Sequence, residues 1–197
     1  MKKQFIYSAD HIEKIGNTIV YLISNMTNVS KTKLLKLIYI LDEISIKKSG
    51  IPFLNLEYKV WKFGPVANDL FVEFSTSPSM LKEFIESKNM NEHTYIVAKK
   101  EFCDDEFSTN ELDLLKFVVD KFKDASADEL ISLTHRENSP WHNAAVKNSV
   151  LELLETEKIS TTEIKIDLSE LVEYDERKKS IYADYLESST YGCVTVQ

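Results

Sequence analysis

Lys33-Leu34-Leu35-Lys36-Leu37-Ile38-Tyr39-Ile40-Leu41-Asp42-Glu43-Ile44 is the stretch that decides the fold. Ser30 is placed to cap a helix before it and Gly50 to stop one after it, and in between the apolar residues fall on more than one face. A surface helix needs only one apolar stripe, so this helix is expected at the centre of a bundle. Lys31, Lys33, Lys36, Lys47 and Lys48 read as its solvated edges, where they could also meet an acidic partner or a phosphate backbone.

Working outward, Ser8 can cap an earlier helix whose Ile12, Ile15, Ile19, Leu22, Ile23 and Met26 recur at steps of three and four. Downstream, Leu56–Trp61 alternates weakly and predicts an extended segment. Gly64 followed by Pro65 predicts a helix start, because proline gives up a donor that would be unpaired there, and Val66, Leu70, Phe71 and Phe74 follow at helical spacing. A further short helix is expected from Met80 to Ser87. Thr94–Ala98 is rich in β-formers and is expected as a strand that could pair with the Tyr58 segment.

Ser108 and Glu111 form a capping box for a helix to about Lys123, with Leu112, Leu115, Val119 and Phe122 on its buried face. Ser126 and Glu129 repeat the device for the next helix, and Ser139-Pro140 opens another. A β-prone run from Glu163 to Ile166 precedes a last helix, expected to share Leu171, Tyr174, Ile181 and Tyr185 on one face. The expected fold is mainly α: a compact multi-helix single domain over residues 1–197 with a small β element of two or three short strands. Its core is expected at about 12–145, a C-terminal strand and helix extension at about 146–190, and a tail at 191–197.

Composition narrows the function classes. The 197 residues carry a formal net charge of −8, with 43% hydrophobic and 28% charged content and only four glycines and four prolines. That is a globular chain, and its acidity disfavours a broad phosphate-binding surface. The opening residues meet Asp10 and Glu13 before any apolar run of signal-peptide length, and no run approaches a membrane-spanning helix, so a cytoplasmic protein is expected. Cys103 and Cys193 lie far apart without the paired spacing of metal or redox motifs, which fits reduced thiols.

Catalytic chemistry has little to build on. His135 and Glu137 form an H-x-E, but neither cysteine stands in the P-C-x-x-C that a zinc deaminase also needs. Pro140 interrupts the helix on which His135 and His142 would have to share a face. G-x-S-x-G, P-loop and G-x-G-x-x-G signatures are missing from the sequence. Neither a cofactor nor a metal is expected, and no catalytic residue is assigned. Trp61, Phe63 and Trp141 are large aromatics suited to core anchoring or to an interface.

Three blocks together resemble the Panacea domain, the SocA-like antitoxin family that also includes phage-associated GepA-type proteins. They are Lys33–Ile40; Trp61-Lys62-Phe63-Gly64-Pro65-Val66 with Leu70-Phe71; and Phe107–Leu112 through Ser126–Leu130 to Leu133-Thr134-His135 and Pro140-Trp141. Val60 and Lys123 depart from the pattern, standing where a small residue and a glycine are common. The resemblance implies an antitoxin in a toxin–antitoxin system, neutralising a partner toxin by direct binding and in some members delivering it to a Clp-type protease. By position it marks Lys36, Tyr39, Trp61, Gly64, Pro65, His135 and Trp141; with Phe63 added from the aromatic reading, Lys36, Tyr39, Trp61, Phe63, His135 and Trp141 are the candidate partner-binding residues, and Gly64 and Pro65, with the capping-box pair Ser108 and Glu111, the structural ones. Two alternatives stay open: a DNA-binding regulator using the lysine-rich helix, and a metal-dependent hydrolase centred on His135, Glu137 and His142.

Overall fold

The computed structural model describes residues 7–27, 29–90 and 93–191. Its elements are α1 (Ala9–Ser24), α2 (Lys31–Ser49), β1 (Tyr58–Trp61), β2 (Gly64–Ala67), α3 (Asn68–Ser75), β3 (Ile85–Met90), β4 (His93–Ala98), α4 (Thr109–Phe122), α5 (Ala127–His135), α6 (Pro140–Lys147), α7 (Leu151–Glu155), a 3₁₀ helix (Leu168–Val172) and α8 (Glu176–Tyr191). The class is mainly α, with two small antiparallel two-stranded sheets. Cys193 and all of the expected tail except Tyr191 lie outside the described residues.

Two compact units interleave along the chain. One takes the residues up to Ile38 and Ala67–Ile131; the other takes Tyr39–Val66 and the chain from Ser132. In the first, α1 packs on β4 and α4, and α3 packs on the β3–β4 hairpin. Ser8 caps α1 by accepting the His11 N–H at 3.2 Å. β3 and β4 pair antiparallel from Ile85↔Ala98 to Met90↔His93, and the outer edge of β4 bridges Ser30 through Tyr95. The Ser108–Glu111 box is formed: the Glu111 carboxylate accepts from the Ser108 N–H at 2.9 Å and hydroxyl at 2.7 Å, and also pairs with Lys14 of α1.

Gly16 lets α1 approach Phe84 closely. A Cβ built there would lie 2.4 Å from the Phe84 ring, which is 3% exposed and has the Lys100 ammonium 4.3 Å from its centroid. Gly16→Ala is therefore expected to lower stability by about 2 kcal/mol, the overpacking outweighing alanine's better helix propensity. A urea midpoint at or above wild type would show that the ring yields freely.

In the second unit α6 packs on β1, α7 and the 3₁₀ helix, and α8 packs on the 3₁₀ helix. The residues after α2 are organised by Asp42. Its carboxylate, fully buried, accepts the N–H groups of Leu54 (2.6 Å), Asn55 (3.3 Å) and Leu56 (3.4 Å) and the Tyr58 hydroxyl (2.7 Å). Asn55 takes a left-handed φ of 52° to present them. Burial still raises the Asp42 carboxyl above its ordinary value, because desolvation outweighs the four bonds that favour the charged form.

Several expectations need correction. Lys33 and Lys36 are not solvated edges: both are buried, and the Lys33 ammonium donates to the Lys123 carbonyl at 2.7 Å. Gly64-Pro65 does not start a helix. Gly64 (φ 98°) follows the Lys62-Phe63 turn and opens β2, a place where a positive-φ glycine closes a hairpin, while Pro65 lies within that edge strand. The helix begins three residues later, at Asn68.

Met80–Ser87 is not helical, because the buried Glu73 carboxylate gathers the N–H groups of Ser79, Met80 and Leu81 into a turn from which β3 departs. Thr94–Ala98 is a strand, but it pairs with β3, while Tyr58 pairs within β1–β2 and with the segment after α7. Leu112 is half-buried, and Leu114 and Val118 join the buried face instead. Tyr174 lies between the 3₁₀ helix and α8, 96% exposed, while Tyr182 of α8 is buried.

Candidate partner-binding site

The β1–β2 hairpin presents Phe63 at its tip, 56% exposed. A solvated phenylalanine on a loose loop would carry no particular meaning, but this turn is braced on several sides. Val60 N–H donates to the Ile164 carbonyl and Lys62 N–H to the Ser160 carbonyl, both at 2.9 Å, so residues 160–166 flank β1 as an added extended segment. Trp61 Nε1 donates to the Thr162 carbonyl at 3.2 Å. The Trp61 carbonyl in turn accepts from Trp141 Nε1 at 3.0 Å. Lys62 lies 4.7 Å from the centroid of the Phe63 ring and pairs with Glu157 at 2.9 Å.

Trp141 is positioned by the start of α6. Ser139 Oγ accepts the His142 N–H at 3.1 Å and donates to the Thr134 carbonyl at 2.9 Å, and Pro140 occupies the first helical position. The Trp141 ring is 2% exposed and stacks on His135 with centroids 3.8 Å apart and planes 8° from parallel. His135 ends α5 and is half-buried.

Beside these, the Glu43 carboxylate accepts from Arg136 and Lys47, and Asn143 donates to Glu170 at 2.8 Å. Tyr39, 0% exposed, faces this cluster; burial first and the Glu43 carboxylate second push its phenol well above the usual value. Among the described residues no group of three or more His, Cys, Asp or Glu is arranged to hold a metal ion.

The structure therefore sorts the candidate residues. Trp61, Phe63, His135 and Trp141 come together in one unit, with Phe63 exposed and Trp61 and His135 half-buried. Tyr39 is interior, edge-to-face with Tyr58 at 5.1 Å, and Lys36 is interior at 1% exposed. As they stand, Lys36, Tyr39 and Trp141 hold the fold and offer a partner little surface. Sequence reading missed Asp42, Arg136 and the pairing of the β-prone Glu163–Ile166 run with β1. A carboxylate inside an otherwise apolar helix was the available signal for Asp42; the other two depend on long-range pairing.

The family model described as "Antitoxin SocA-like, Panacea domain" matches residues 34–142, more than half of the chain. That span holds Lys36, Tyr39, the hairpin and the Trp141 helix start, and it lies inside the extent of about 12–145 expected from the sequence. No curated protein and no solved structure matches. No helix among the described residues is long and apolar enough to cross a membrane.

Proposed function

The chain belongs to the family of SocA-like antitoxins with a Panacea domain, and on that premise we propose that it neutralises a protein toxin by binding it directly, with the Phe63 hairpin tip as a principal contact. The observation that carries the site is the exposed ring on a turn braced by Trp61, Trp141 and residues 160–166. A pre-ordered aromatic loses little freedom on binding, which is what an interface hot spot requires. This reading needs no catalytic group: occlusion of the toxin's working surface is sufficient.

Phe63→Ala removes the ring without touching the hydrogen bonds that brace the hairpin. It is expected to weaken toxin binding by about 2 kcal/mol or more, roughly thirtyfold, with an unchanged far-UV spectrum. Binding measured by calorimetry that stays within twofold of wild type would remove Phe63 from the interface. Delivery to a Clp-type protease is the adaptor form of the same proposal. It predicts that co-expression lowers the amount of toxin as well as its activity.

A further inference from the structure

We propose that the C-terminal end of α2 and the first turn of α8 together form a second docking surface, for an acidic segment of the protein partner. The two places are far apart in sequence and each carries a run of cations: Lys47-Lys48 and Arg177-Lys178-Lys179. The fold joins them. Lys178 Nζ donates to the Lys47 carbonyl at 2.8 Å, and Gly50 (φ 78°) lies so close that a Cβ there would sit 2.6 Å from the Lys178 carbonyl oxygen. A protein of formal net charge −8 thus gathers five cationic side chains on one patch of one unit.

Some of that charge is spent within the chain. Lys47 pairs with Glu43, Lys178 with Asp175 at 3.2 Å and Lys179 loosely with Glu176 at 3.8 Å. Lys48 and Arg177, both exposed, have no carboxylate within ion-pair distance among the described residues. In the other unit Lys82, Lys88 and Lys100 each have a neighbouring carboxylate, Glu83, Glu86 and Glu13.

Two exposed apolar groups flank the patch, Ile51 just after Gly50 at 43% and Tyr174 just before α8 at 96%. Unpaired cations beside an exposed aromatic and an aliphatic side chain fit an acidic peptide with apolar residues better than a nucleic-acid backbone, which asks for a longer cationic track than this acidic chain supplies. Arg177–Lys179 lie beyond the 34–142 span, so this half of the surface is what the chain adds to the family domain.

The inference rests on the protein-binding reading, and its test does not use the toxin, so the two can fail separately. The ¹⁵N-labelled full chain is titrated with a synthetic peptide alternating Asp and Glu with Leu and Tyr, and in parallel with a short DNA duplex. The expected result is peptide-induced shifts confined to residues 47–51 and 174–181. Affinity should fall about tenfold in the triple variant Lys48→Glu, Arg177→Glu, Lys179→Glu and by less in Lys48→Gln, Arg177→Gln, both retaining the wild-type spectrum elsewhere. Shifts spread over the surface or centred on Lys82, Lys88 and Lys100, equal affinity for the triple variant, or tighter binding of the duplex would each overturn it.

Discussion

Asp42→Ala is expected to cost about 3–5 kcal/mol of folding stability, because it removes at once the acceptor of the buried Leu54 and Leu56 N–H groups, the half-buried Asn55 N–H and the Tyr58 hydroxyl. Asp42 is 0% exposed, and Leu54, Leu56 and Tyr58 are buried around it. The loss should be seen as a lower urea midpoint and as disorder in the segment that feeds β1. Tyr58→Phe removes one of the four bonds and should cost about 1 kcal/mol. Asp42→Asn keeps one acceptor oxygen and should fall between them. An alanine variant within about 1 kcal/mol of wild type would show that the carboxylate does not organise this segment.

Lys36→Met is expected to act in the opposite direction and to depend on pH. Burial lowers the Lys36 ammonium from the ordinary 10.5 to about 7. Between those values the unfolded chain binds a proton that the folded chain does not. The stability associated with this group is therefore fully present above about 10.5 and is lost as pH falls through about 7. Methionine has a similar linear shape and no charge to desolvate. The stability of the variant relative to wild type should be greatest at pH 6 and fall by about 2–4 kcal/mol towards pH 10. Urea unfolding of both proteins at three pH values tests this, and parallel stability curves would contradict it. Retained toxin binding by the variant would further separate a fold-holding Lys36 from a partner-holding one.

These two residues also show how far the sequence could be read. The breadth of the apolar surface from Leu34 to Ile44 pointed correctly to an interior helix, because burial on several faces leaves a periodicity that can be counted. The same periodicity carries Lys36 and Asp42 inside with their apolar neighbours, against the preference of their charges for solvent. Caps were legible because they are local: Ser8, Ser108–Glu111, Ser126–Glu129 and Ser139-Pro140 all stand where their helices begin.

Gly64-Pro65 was misread because the same dipeptide serves a helix start and a hairpin closure. What decides between them is the pairing of β1 with β2 and with residues 160–166, a contact about 100 residues away in sequence. The candidate site was half legible. Its aromatic residues stood out as types, but only packing separates an interior Trp141 from an exposed Phe63. The Lys47-Lys48 and Arg177–Lys179 runs were visible singly, and only the fold shows that they share a surface.

The central claim, that this chain works by holding a protein toxin, is tested most directly by co-purification of the tagged full-length protein and its Phe63→Ala variant from their native cells, followed by native mass spectrometry. The account predicts one stoichiometric protein partner on the wild type, depleted from the variant, that stops growth when expressed alone and is tolerated when the wild-type chain is co-expressed. Recovery of the wild-type chain with no protein partner, or with one whose expression leaves growth unaffected, would contradict it.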